Sequence, residues 1–231
     1  NKEFTAIKNI ANRKKIKTIT IGSNSGTLKI LQHKYQQNKQ IVKVYANSKI
    51  ISLHIPLIGY FQVKNLLMAI LAASCCGINI NKAFKVINNI RPVSGRLECI
   101  ANLKNNAKII LDFAHTPEAL KQSLIALKDQ FRRNIILVFG CGGERDKKKR
   151  SIMGTIAAKY CRKIFVTDDN PRNENPKKIR KAIIASCKEL ALEIGSRKKA
   201  IETAIKELNE GEILLVAGKG HEKTQDYGDK I

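Results

Sequence analysis

Arg145 and Arg172 carry planar guanidinium forks suited to carboxylates. Asp169 and Glu222 supply acceptors suited to an ammonium, and Asn170 adds an amide able to donate or accept. Gly142, Gly143, Gly218 and Gly220 let backbone N–H groups approach a ligand closely. Arginines combined with carboxylates are what an amino acid carrying both charges requires. Each feature alone has a plainer account: Asp169-Asn170-Pro171 reads as a turn and Arg172 as a solvated charge. Their placement in the chain argues for a site.

From about residue 98 apolar runs alternate with helical patterns, which predicts an α/β unit with a mostly parallel sheet. Four runs each empty into a polar cluster: Ile109 to Phe113 into Asp112-Phe113-Ala114-His115, Ile135 to Phe139 into Gly140 to Arg150, Ile164 to Thr167 into Asp168 to Arg172, and Ile213 to Ala217 into Gly218 to Glu222. Open α/β sheets bind ligands at such strand ends, so a doubly wound sheet would gather all four on one edge. Thr116 with Pro117, Asn175 with Pro176, and Ser196 read as helix starts. The stripes Leu120-Leu124-Leu127 and Met153-Ile156-Ala157-Tyr160 read as core faces. Residues 1–57 read as short strands with polar turns, Ile41 to Tyr45 and Ile51 to Ile55 among them. Gly59 to Asn65 leads into a helix with Leu66, Leu67, Ile70 and Leu71 on its apolar face, and Asn81 is a candidate cap for the next. Arg91 to Glu98, with its proline, glycine and paired charges, marks a boundary between domains 1–97 and 98–231.

Other chemistries fit less well. Gly218-Lys219 has no glycine five residues earlier, and Gly220 stands where a phosphate loop needs Ser or Thr. Gly140-x-Gly142-x-x-Arg145 lacks the third glycine of a dinucleotide fingerprint. His115 and His221 have no local triad partners, His33 and His54 read as sheet-face residues, and no cluster has metal-ligand spacing. The net charge of +24 is spread over the chain without a recognition helix or aromatic platform, so a specific nucleic-acid partner is not expected. Six cysteines without zinc spacing, and no membrane-length apolar run, fit a reducing, cytoplasmic setting without membrane partners. Cys75 and Cys76 read as core thiols in an apolar helix.

Asp112-x-Ala114-His115-Thr116-Pro117, Gly140-Cys141-Gly142-Gly143-x-Arg145-Asp146 with Lys149-Arg150, Asp169-Asn170-Pro171-Arg172 and Gly218-Lys219-Gly220-His221-Glu222 together resemble the C-terminal domain of Mur ligases. Gly95-Arg96-x-Glu98 and the Gly59 to Asn65 stretch agree, so the resemblance covers roughly residues 40 to 228. It implies a Rossmann-like C-terminal domain, preceded by part of a central ATP-binding domain. It also implies an ATP- and Mg2+-dependent amide-forming ligase of peptidoglycan synthesis, acting as a monomer on small molecules. The Asp-Asn-Pro-Arg motif is associated with members that add meso-diaminopimelate to UDP-N-acetylmuramoyl-dipeptide. By that likeness Arg145, Asp169, Asn170, Pro171, Arg172, Gly218 and Glu222 would bind the amino acid. Asn65, Arg96, Asp112 and His115 would line the nucleotide. Arg96 with Glu98 would serve equally as an interdomain salt bridge. Phe113, Gln62 and Glu144 depart mildly from the pattern, which has Tyr, Asn and Asp there. The phosphate loop, the magnesium-binding acid and the modified lysine would lie upstream of Asn1, so the catalytic residues are expected outside this chain, which would not turn over alone. A lysine-adding member, or a catalytically dead remnant of such a ligase, are the alternatives.

Overall fold

The computed structural model describes residues 2–23, 26–36 and 39–228, which form two compact units dividing between Ile90 and Arg91. That division lies at the leading edge of the Arg91 to Glu98 stretch, seven residues before the boundary expected between 97 and 98.

The first unit opens with helix α1 (Lys2–Arg13), followed by strands β1 (Ile21–Gly22), β2 (Leu28–Gln36), β3 (Lys39–Ala46) and β4 (Lys49–Ile55). Helices α2 (Tyr60–Cys75) and α3 (Ile80–Lys85) come next. The sheet runs β1-β2-β3-β4, antiparallel except that β1 lies parallel to β2. Asn47 and Ser48, both at positive φ, make the tight turn between β3 and β4, matching the twist a two-residue hairpin demands. Val42, Val44, Leu53 and Ile55 alternate onto one face, where Val63, Leu67, Ile70 and Leu71 of α2 cover them. Three readings change. Residues 2–13 are helical rather than extended. Phe4, Ile7, Ile10 and Ala11 do recur at helical spacing, but only Ala11 is buried, so the pattern gives no inward stripe. The cap of α3 is Asn79, whose side chain accepts from the N–H groups of Asn81 and Lys82. Cys75 and Cys76 are exposed, because α2 has turned its last residues off the sheet; the buried thiols are Cys141, Cys161 and Cys187.

The second unit holds β5 (Glu98–Asn102), β6 (Lys108–Asp112), α4 (Pro117–Phe131), β7 (Ile135–Phe139), α5 (Lys148–Tyr160), β8 (Lys163–Val166), α6 (Pro176–Ile184), β9 (Ala191–Glu193), α7 (Arg197–Lys206) and β10 (Ile213–Ala217). Its six-stranded sheet has the order β5-β6-β10-β7-β8-β9, with β5 the one antiparallel member. The strands that precede the four polar clusters are thus four parallel neighbours. β7 and β10 are buried along their whole length, as apolar runs covered on both faces must be. Ala200, Ala204 and Leu208 pack on Ile136, Val138, Phe165, Leu214 and Val216 on one face. Helices α4, α5 and α6 pack side by side, and Gly154 of α5 allows close approach, since a Cβ there would lie 2.5 Å from the Ile183 carbonyl oxygen. Thr116, Asn175 and Ser196 cap their helices through side-chain oxygens, with proline in the first turn of α4 and α6.

Beneath the third polar loop, Asp168 is buried and paired with the equally buried Arg180, which also donates Nε to Glu193 at 2.8 Å. Breaking a buried pair from one side strands a charge in low dielectric. Arg180→Met should therefore destabilise the second unit by about 3–5 kcal/mol in chemical denaturation, with part recovered by adding Asp168→Asn. A loss below about 1 kcal/mol would show that the pair does not hold this loop.

Candidate functional site

The four loops meet at one cavity of about 510 Å3, lined by Phe113 and His115 from the first, Gly142 and Arg145 from the second, Asp169, Asn170 and Arg172 from the third, and Gly218 and Glu222 from the fourth. Of the seven residues expected to bind an amino acid, six are on this wall. Pro171 is buried behind it, its carbonyl oxygen pressed against Gly143 and accepting from the Glu174 N–H.

Contact between backbones fixes the second and third loops to each other. A Cβ on Gly143 would lie 1.9 Å from the Pro171 carbonyl oxygen, and one on Gly140 would lie 2.2 Å from that of Thr167. The Gly143 N–H donates to the Asn170 carbonyl at 2.9 Å. Arg172 adopts a left-handed backbone (φ 52°) and turns its side chain back across the seam. Its Nη1 donates to the carbonyls of Gly143 (2.9 Å) and Asn170 (3.3 Å), and its Nε faces Asp226 Oδ2 at 3.5 Å. Deeper in the seam, Arg150 Nη2 pairs with Glu174 Oε2 at 2.8 Å, while Glu174 Oε1 accepts from the Glu144 N–H at 2.8 Å. That N–H, opposed by burial and aided by Arg150, holds the Glu174 carboxyl below its ordinary value. Arg145 stays exposed at the mouth, donating to the Glu144 carbonyl at 3.2 Å. Burial pushes the Cys141 thiol up to about 12, so no thiolate nucleophile stands beside it.

The fourth loop adds a buried cation that the sequence reading passed over as half a phosphate loop. Lys219 Nζ donates to Asn170 Oδ1 at 2.7 Å and to Glu222 Oε2 at 2.9 Å. Burial works against charge on Glu222, but the Lys219 ammonium, with Asn170 and His221, outweighs it and holds the carboxyl below its ordinary value. Asp169 Oδ2 is enclosed and accepts no hydrogen bond from the described residues; a Cβ on Gly218 (φ 109°) would lie 2.8 Å from it. Underneath, Arg197 Nη2 donates to the Ala217 carbonyl at 2.8 Å, while Nη1 has no hydrogen-bond partner among the described residues. Burial lowers the Arg197 pKa, opposed by the nearby Asp169 and Glu222. As the first residue of α7 after a serine cap, Arg197 carried no signal beyond its charge.

The residues expected around a nucleotide separate. Asp112 is buried, with Oδ1 accepting from the N–H groups of Leu97 (3.2 Å) and Phe113 (3.0 Å) and Oδ2 from the Ser123 hydroxyl. It fastens the first loop to its surroundings. Burial raises its pKa, against the hydrogen bonds from Ser123, Leu97 and Phe113 and the charge of Arg96. Arg96 lies over the Phe113 ring at 4.5 Å, His221 stacks on that ring at 5.9 Å, and His115 meets it edge-on at 4.7 Å. Glu98 Oε2 accepts from the Gly95 N–H at 2.8 Å and the Ser94 hydroxyl at 3.2 Å. Asn65 is exposed on α2 of the first unit.

Comparison with known proteins fits this arrangement. Residues 95–220 match the family described as Mur ligase, glutamate ligase domain, and residues 1–73 the Mur ligase middle domain. The chain is 41% identical over 209 residues to UDP-N-acetylmuramoyl-L-alanyl-D-glutamate--2,6-diaminopimelate ligase of Rhizobium meliloti, covering 90% of this chain and 43% of that protein. A solved structure of a ligase with that same name superposes with a TM-score of 0.65 at 30% identity, covering 96% of this chain and 46% of the other. A MurF ligase from Thermotoga maritima in complex with ADP shares the fold, at a TM-score of 0.69 and 15% identity, over 90% of this chain and 47% of its own. The chain spans less than half the length of the curated relatives it matches. Four parallel strands delivering their loops to one charged cavity, and a match that runs through all four, establish that this chain belongs to the Mur ligase family.

Proposed function

We propose that the cavity is the amino-acid site of an ATP-dependent ligase of peptidoglycan synthesis, acting in the cytoplasm and joining meso-diaminopimelate to UDP-N-acetylmuramoyl-L-alanyl-D-glutamate. One observation carries this reading: two guanidinium groups and three carboxylates, those of Asp146, Asp169 and Glu222, line the same cavity, and one carboxylate oxygen, Asp169 Oδ2, is enclosed with no donor among the described residues. Meso-diaminopimelate carries two carboxylates and two ammonium groups. Arg145 and Arg172 suit the first pair, and Asp169 and Glu222 the second, with Asn170 and Gly218 shaping the wall. Lysine lacks the second carboxylate and would leave one fork without its partner, a penalty that a polar site exacts strongly.

ATP, when bound, supplies the activation of the dipeptide carboxylate. The part of this chain is to hold the amino acid, orient its attacking amine and keep water out; fixed geometry of that kind supplies much of the rate in a condensation between bound partners. The guanidinium of Arg96 over Phe113, flanked by His115 and His221, fits the face of a planar ring, so these residues would form one wall for a nucleotide. Asp112 would act there by holding the loop rather than by touching the ligand. Among the described residues no group of three or more His, Cys, Asp or Glu could hold a metal, so no Mg2+ ligand set is assigned here.

Titration calorimetry on this chain should show meso-diaminopimelate binding at least about tenfold more tightly than lysine. Arg172→Ala should erase that preference, since a charge-assisted hydrogen bond contributes about 1.5–3 kcal/mol. Lysine binding as tightly as meso-diaminopimelate to the wild type, or an unaltered ratio in the variant, would defeat the assignment. Asp112 gives a separate test. Its folded pKa is raised, so between the ordinary carboxyl value and that raised value the folded state holds more protons, and stability falls as pH rises through this window. Asp112→Asn should fold, keep the acceptor for Leu97 and Phe113 and lose that slope. Asp112→Ala should cost about 2–3 kcal/mol, because it orphans the N–H groups of Leu97 and Phe113, although the Ser123 hydroxyl keeps the Ala119 carbonyl at 3.0 Å. An equal loss in both variants, read by chemical denaturation, would refute the fastening role.

A further inference from the structure

We propose that Gln225 and Asp226 are positioning residues of the amino-acid site, forming a strap beyond Glu222 that holds the third loop in the shape the ligand needs. This rests on the reading of the cavity given above. The family match ends at Gly220, so the strap lies outside it.

Consecutive residues of the strap grip consecutive residues of the loop. Gln225 Nε2 donates to the carbonyls of Asp168 (3.1 Å) and Asp169 (2.8 Å). The Asp226 N–H donates to Asn170 Oδ1 at 2.9 Å, and the Asp226 carbonyl accepts from the Arg172 N–H at 3.0 Å. Asp226 Oδ2 faces Arg172 Nε at 3.5 Å, while Oδ1 accepts from the Gly228 N–H at 2.9 Å and so fixes the carboxylate. Tyr227 adds a hydroxyl contact to Asp168 Oδ2 at 3.2 Å. Two carbonyls facing one amide leave no choice of rotamer: the side chain of Gln225 must present its NH2 group. The loop needs such support because Arg172 sits at φ 52°, a conformation costing a non-glycine residue about 1–2 kcal/mol. Freed from the strap, Arg172 could relax to negative φ and carry its guanidinium off the cavity wall.

Gln225→Glu tests the strap with little change of shape. The carboxylate cannot donate to two carbonyls, whereas the protonated acid can donate to one. Meso-diaminopimelate should bind Gln225→Glu about tenfold more weakly than wild type at pH 8, the scale of two lost hydrogen bonds, and the deficit should shrink at least about threefold at pH 5 as the acid protonates. Gln225→Ala should be weakened at both pH values without that recovery. A residue that merely fills space would give neither the difference between variants nor the pH dependence. In the ligand-free chain, hydrogen exchange of the Arg172 amide should accelerate at least about tenfold in Gln225→Glu at pH 8, as local opening becomes easier. Wild-type exchange and affinity in that variant would overturn the strap. Should the wild type bind no meso-diaminopimelate, the substrate reading falls and the Arg172 exchange rates alone decide the strap.

Discussion

The site depends on the approach of two backbones. Where the loops after β7 and β8 cross, Gly143 meets the Pro171 carbonyl and Gly140 meets that of Thr167, both too closely for any side chain to intervene. Adjacent parallel strands bring the two loops side by side, but strand spacing alone would leave them free to splay. The glycines let them close into one surface, and the hydrogen bond from Gly143 to Asn170 seals it. Arg145 and Arg172 then stand on one wall although they belong to different crossovers. An alanine at position 143 would force the loops apart, and the two forks would no longer line one cavity.

Electrostatics around that seam follow the rule that buried charge is paired. Arg180 answers Asp168, Arg150 answers Glu174, and Lys219 answers Glu222. Such pairs add little net stability, since desolvation consumes most of the attraction, but they make alternative loop geometries expensive. Arg150 Nε, Asp169 Oδ2 and Arg197 Nη1 break the pattern, all three enclosed and without a hydrogen bond among the described residues. Unpaired polar atoms in a folded core are uncommon and concentrate where a ligand or function compensates them. Asp169 lines the cavity beside Gly218, while Arg197 is buried and bonded to the Ala217 carbonyl one residue before it.

Much of the second unit was legible because its sequence is locally consistent. Apolar runs of strand length, helix starts marked by Thr116-Pro117, Asn175-Pro176 and Ser196, and polar clusters at strand ends all point to one architecture. The strand order was not legible. Nothing in Ile213 to Ala217 says that the last strand inserts between β6 and β7, yet that insertion brings Gly218 and Glu222 to the other loops. The opening helix was missed for a different reason: its apolar residues have the right spacing but face outward, so periodicity and burial disagree. Gln225 and the contact of Lys219 with Asn170 escaped because the partners, backbone carbonyls and an amide oxygen, lie some fifty residues away, where no local pattern encodes such pairs; of the partners of Lys219, Glu222 alone is near in sequence.

The use made of Arg172 shows why arginine suits the position. One nitrogen of its fork already donates to two carbonyls of the chain, and another faces Asp226. A lysine ammonium could reach one of these partners, but it could not brace the seam and face the cavity together. Arg172 is thus partly structural, and that is what makes it precise: a guanidinium held by its own backbone loses little further freedom when a carboxylate arrives. Arg145, exposed and donating among the described residues to the Glu144 carbonyl, is its opposite, a lightly held fork at the mouth. A rigid donor inside and an adaptable one outside would let the inner fork choose the ligand while the outer one closes over it.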